Sequence, residues 1–162
     1  MLFSVLFAVM LSVATSAQVR GPLHASCKAD WTFGQSCADA MGAIVDQMKA
    51  WAGPDGCANG GEKCLYEYMS TEGNVVKGTH TTPVHKYVDD LEFTFTDAAD
   101  GSCAMHGFST SETIYAVLDS STNYCNMKNL ITGAGLDQGD GYSETASDDK
   151  CTQYSSANCD KY

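Results

Sequence analysis

Between Ser36 and Pro54 the apolar residues Met41, Ile44, Val45, Met48 and Trp51 recur at helical spacing, with Asp39, Asp46, Gln47 and Lys49 on the opposite side. This pattern predicts an amphipathic helix. Ser36 is placed to cap its first amides with Asp39 three residues on, and Gly53-Pro54 ends it. After a connection rich in Gly, Asn and Asp (residues 54–63), the period changes from 3.6 to 2. Strands are predicted over residues 65–69, 75–82, 86–96, 103–109 and 113–118, with a turn at Glu72-Gly73-Asn74. In the longest of them Tyr87, Asp89, Leu91, Phe93 and Phe95 share one face. Residues 123–131 fit neither period clearly. From Thr132 to Tyr162 Gly, Ser, Thr and Asp dominate, so irregular structure is expected there.

One helix followed by four or five antiparallel strands must bury its stripe across one face of the sheet, which gives an α+β fold. A pocket between helix and sheet would be lined by Trp51, Phe93, Phe95 and Tyr115, with Tyr66 or Tyr68 beside them. The competing reading is that these rings fill the core.

The N-terminal stretch adds a compartment. Residues 1–17 combine an apolar run from Leu2 to Val13 with small residues, Thr15 and Ala17, at the −3 and −1 positions of a cleavage site. A signal peptide is therefore expected over 1–17, followed by one secreted domain over 18–162. The eight cysteines, Cys27, Cys37, Cys57, Cys64, Cys103, Cys125, Cys151 and Cys159, all follow it, and their even number predicts four disulfides. Local pairings such as Cys57 with Cys64, Cys103 with Cys125 and Cys151 with Cys159 would each close a loop containing turn residues.

Charge narrows the partners. With 20 Asp and Glu against 9 Lys and Arg, the formal net charge is −11, which argues against nucleic acid and anionic membranes. No later run approaches the length of a membrane span.

Candidate chemistry is sparse. His80 and His85 flank a Pro-containing turn and His106 lies elsewhere, so no metal-ligand spacing is fixed. The acids Asp137, Asp140, Asp148 and Asp149 lack the pattern of a calcium loop. Neither a metal nor a cofactor is expected. Asp89 is the most unusual acid, since strand parity places it among apolar neighbours and raises its pKa unless it is paired, with Lys86 as one available partner. No G-x-S-x-G nucleophile turn or phosphate-cradling loop is present. A secreted hydrolase using Asp89 or a histidine remains an alternative to the leading expectation, a non-enzymatic binding protein for a small apolar or aromatic ligand or an extracellular protein.

One short motif points elsewhere. Asn74-Val75-Val76-Lys77-Gly78, following one long helix and one strand, resembles the Q-x-V-x-G hairpin of cystatin-type cysteine-protease inhibitors. That resemblance implies an exposed inhibitory tip formed by Asn74, Val75, Val76 and Gly78, although no Pro-Trp second hairpin occurs. The stretches TFGQSC, CANGGEKCLY, YVDDLEFTFT and CTQYSSANCDKY are also similar to uncharacterised small secreted cysteine-rich animal proteins. This similarity implies secretion and a shared disulfide pattern, and no site residues.

Overall fold

The computed structural model describes residues 24–112 and 119–162. The expected signal peptide, the strand at 113–118 and Tyr115 lie outside these residues.

The first strand, β1 (Ser26–Phe33), escaped the sequence reading, although Cys27, Ala29, Trp31 and Phe33 alternate as buried positions along it. Helix α1 (Cys37–Ala50) follows as expected and buries Cys37, Ala40, Ile44 and Met48. Its cap is Ser36, whose hydroxyl accepts from Asp39 N at 3.2 Å and donates to the Asp39 carboxylate at 2.7 Å. Beyond the helix the chain folds back, and Tyr66 N donates to Trp51 O at 3.1 Å. This return starts an antiparallel meander of β2 (Tyr66–Glu72), β3 (Val75–Thr81), β4 (Val88–Asp97) and β5 (Cys103–Ser111).

β1 pairs with β5, and β6 (Ser143–Thr145) closes the far side. Among the described residues this gives a six-stranded antiparallel sheet in the order β2-β3-β4-β5-β1-β6, in which β1 and β6 are strands the sequence did not suggest. A second long helix, α2 (Thr122–Gly133), occupies the segment that fitted neither period. The expected single helix is thus corrected to two α-helices among the described residues. α1 packs over β2 to β4 and α2 over β5 and β1, leaving the opposite sheet face to solvent. The segment from Thr132 onward is largely irregular as anticipated, yet it supplies β6 and two short 3₁₀ turns.

The core row Val76–Phe93–Gly107–Ala29 runs straight across the sheet in register. A Cβ on Gly107 would lie 2.7 Å from Trp31 and 2.8 Å from Met127, so this glycine is what lets α2 sit close on β5.

Four disulfides cross-link the chain, and of the local pairings only Cys57–Cys64 forms. Cys103 pairs with Cys37 rather than Cys125, because its register partner Phe33 ends β1 only a short turn before Cys37 opens α1. Cys125 instead ties α2 to Cys159, and Cys151 ties to Cys27 on β1. Among the described residues no helix is long and apolar enough to cross a membrane.

Candidate functional site

The buried face of the sheet changes character along its length. Around Val76, Phe93 and Phe95 it is apolar; toward the other end, His80, Asp89 and Ser111 align in register across β3, β4 and β5, all of them buried. Helix α2 meets this polar row with Asn123, Asn126 and Asn129, three residues apart and therefore on one side. Asn123 Oδ1 accepts from Ser109 Oγ at 2.6 Å, Asn126 Nδ2 donates to Asp89 Oδ2 at 2.8 Å, and Asn129 Nδ2 donates to Tyr162 O at 2.6 Å. The Asn-x-x-Asn-x-x-Asn spacing was the available sequence signal for this interface, and sequence reasoning passed over it.

Asp89 is 3% exposed. Burial holds its carboxyl above the usual range, against the hydrogen bonds from Asn126 and Ser111, while Asp119 and Asp90 add like charge. Its partner is Asn126, not Lys86. Parity therefore identified the right acid and the wrong neighbour. Tyr87, expected on the same strand face, precedes β4 and is 48% exposed.

Glu62, on the loop before β2, was not singled out from the sequence. Its backbone oxygen pairs with His80 Nε2 at 2.9 Å, and its Oε2 is buried and makes no hydrogen bond. Burial, with the neighbouring Asp89 charge, pushes its carboxyl up to about 7, while Lys161 pulls in the other direction. His80 shows the opposite response, because burial lowers its imidazole to about 4. It packs against the Tyr66 ring at 4.6 Å between centroids. The Tyr66 hydroxyl, also raised by burial, donates to Asn126 O at 2.9 Å.

This polar end opens on a cleft of about 230 Å³ whose walls include Glu62, Asp89, Ser111, Asp119, Tyr87 and Tyr162. The loop at residues 82–87 forms one rim, held by Thr82 N to Tyr87 O at 2.9 Å and Tyr87 N to Thr82 Oγ1 at 3.0 Å. On it His85 and Tyr87 stack, with ring centroids 5.4 Å apart. The start of α2 forms the facing wall. There the Asp119 carboxylate accepts from Ser121 N, Asn123 N and Asn123 Nδ2 at 3.0, 3.1 and 2.7 Å, satisfying the helix end from within.

No protein family matches this sequence, and no curated protein matches it.

The residues expected to line a ligand pocket lie elsewhere. Phe93 and Phe95 are 0% and 1% exposed, packed between the sheet and the helices, and Trp51 rests against Tyr66 at 5.8 Å; none of the three lines the cleft. Rings on the buried parity of a sheet fill the core; Tyr66 and Tyr68 instead line a second opening with Lys49 and Ala52 at the end of α1, while the cleft described above forms where polar side chains hold helix and sheet together.

The expected inhibitory tip is likewise built into the sheet. Val76 is fully buried opposite Phe93, Val75 is half-buried, and Asn74 Nδ2 donates to Phe95 O at 2.6 Å. Gly78 sits under Met48, with no room for a Cβ between it and Glu67 O. The histidines do not converge. His106 lies on the open sheet face, 2.6 Å from Asp30, and no group of three ligand-type residues close enough for a metal occurs among the described residues.

A second polar cluster surrounds Glu144 on β6, whose carboxylate accepts from Trp31, Tyr124 and Tyr142 at 3.0, 2.5 and 2.7 Å. Lys128 lies 3.5 Å from it and 3.3 Å from Asp137. Every partner there is internal, and the cluster pins the short edge strand to α2.

The opposed shifts of Glu62 and His80 give a pH signature. Glu62 keeps its proton in the folded chain above 4.5, where the unfolded chain loses it, so its contribution to stability falls as pH rises toward about 7. His80 resists protonation when folded, so its contribution rises with pH between about 4 and 6.5. Glu62→Gln, which mimics the protonated form, is expected to gain on the wild type by about 1–2 kcal/mol across the Glu62 window, a figure discounted for the exposed part of the side chain. His80→Gln should lose the rising limb. Denaturant titrations at several pH values check both, and a Glu62→Gln difference that stays constant with pH would refute the assignment.

Proposed function

We propose that this is a secreted binding protein that holds a small, partly aromatic or apolar ligand in the cleft between the 82–87 loop and the start of α2. The observation that carries the proposal is the polar row of His80, Asp89 and Ser111. It is built into the interior at the expense of apolar packing, and two of its members, Asp89 and Ser111, line the cleft. The exposed Tyr87, stacked on His85 at the rim, supplies an aromatic surface for the ligand's apolar part. Four disulfides suit a chain that works outside the cell. Phe93 and Phe95 are closed off in the core beneath, so the ligand enters at the end of the sheet.

A test is an amide chemical-shift screen of the disulfide-intact protein against mixtures of small amphipathic molecules. Saturable perturbations are expected to cluster at Thr82, Tyr87, Asp89, Ser120 and Thr122. Tyr87→Ala should weaken the best binder about fivefold or more, by removing a stacking face. Perturbations confined to other surfaces, or none at millimolar concentration, would overturn the proposal.

A further inference from the structure

The cleft takes its charge from three separate segments. Glu62 comes from the loop before β2, Asp89 from β4 and Asp119 from the approach to α2, and its described lining contains no lysine or arginine. These three carboxyl groups are not equivalent. Asp119 is engaged by the amides of α2 and by Asn123. Asp89 is engaged by Asn126 and Ser111. Glu62 alone has a buried oxygen, Oε2, without a hydrogen-bond donor. A buried acceptor left in this state costs free energy, which a turn of the Glu62 carboxylate toward a donor in the cleft recovers.

Resting on the cleft reading above, we propose that the ligand is a small organic cation, an ammonium group carrying a short aromatic or alkyl part, with Glu62 as its counter-charge. An anion would meet three carboxyl groups and no cationic side chain in the lining. A neutral molecule would add nothing to the pull that Lys161 already exerts on Glu62. A divalent metal ion needs more converging ligands than the described residues bring together. An ammonium group supplies the donor that Glu62 lacks and a positive charge in contact with it, where Lys161 pulls on Glu62 without an ion pair and covers the Tyr162 ring instead, and the ring of Tyr87 offers a face that attracts cations. The volume, about 230 Å³, corresponds to roughly seven waters, enough for a headgroup and one ring.

Binding of this kind needs Glu62 ionised, so it competes with the proton. The groups facing Glu62 are Asp89 from β4, Asp119 beside α2, His80 from β3, Tyr66 from β2, His85 and Tyr87 on the rim loop, and Lys161 and Tyr162 from the C-terminal segment. Lys161 is drawn to the Tyr162 hydroxyl at 2.8 Å and does not line the cleft.

The experiment titrates the intact protein with three probes of one shape, phenethylammonium, 2-phenylethanol and phenylacetate, following cleft amide shifts. At about pH 8 the ammonium is expected to bind about tenfold more tightly than the alcohol, and phenylacetate not measurably. Near pH 5.5 that preference should shrink at least about threefold, as Glu62 takes up its proton. Glu62→Gln, with its fold verified by the same spectra, should bind ammonium and alcohol alike. If the alcohol or the carboxylate binds the cleft as well as the ammonium does, or if Glu62→Gln keeps the preference, the cation assignment is overturned while the cleft survives as a ligand site. Should none of the three perturb the cleft, the cation assignment falls as well, and the broader screen decides the fate of the site.

Discussion

Replacing Cys27 and Cys151 together with alanine is expected to lower stability by about 5 kcal/mol, against about 2 kcal/mol for the Cys57 and Cys64 pair. The first bridge spans 124 residues and the second 7, and the entropy a cross-link removes from the unfolded chain grows with the loop it closes. Alanine avoids burying hydroxyls, since Cys27 and Cys151 are 0% and 1% exposed. The backbone contacts beside the bridge, Lys28 N to Lys150 O at 3.0 Å and Thr152 N to Ser26 O at 2.9 Å, would remain available but would then have to be found by an unrestrained chain. Denaturant unfolding of both double variants, with the other bridges oxidised, checks the ratio. Equal losses would show that loop length does not govern these cross-links.

The second large effect is expected at Phe93. Phe93→Ala should cost about 3–5 kcal/mol, because the ring is fully buried in the row between Val76 and Gly107 and the surrounding sheet cannot collapse into the space. Phe108 provides the internal control. It follows Gly107 on β5 but faces the open side, where Lys28 lies over its ring at 5.3 Å, and Phe108→Ala should cost about 1 kcal/mol or less. A small loss at Phe93 would mean that the helices do not seal the apolar end of the sheet.

Legibility in the sequence followed where apolar side chains carried the pattern. α1 was readable because its stripe and its Ser36 cap are local, and β3, β4 and β5 because their alternation is strong. β1 was missed since two of its four buried positions are Cys27 and Ala29, which carry little of the bulk that marks a strand. α2 was ambiguous because its buried side is polar. Asn123, Asn126 and Asn129 look like loop residues until Ser109, Asp89 and Tyr162 O are seen to receive them. The site was legible at one residue, Asp89, whose parity betrayed it. Glu62 lies in a Gly- and Asn-rich connection with no periodicity, and its role emerges only when β2, β4 and α2 come together. The disulfides show the same limit, since closeness along the chain favours pairings that the insertion of β1 between β5 and β6 overrules.

That insertion also imposes an order of assembly. β1 emerges first during synthesis, but its two neighbours in the sheet begin 70 residues or more downstream, and the partner of Cys27 is not made until Cys151. Until then Cys27 has only earlier thiols to meet, Cys37 foremost. The meander β2 to β5 can pair as it appears, whereas β1 and its cysteine must wait and then be slotted into an interior position against a nearly complete sheet. The native bridge therefore requires Cys27 to be still free, or to be freed by thiol–disulfide exchange, when Cys151 arrives.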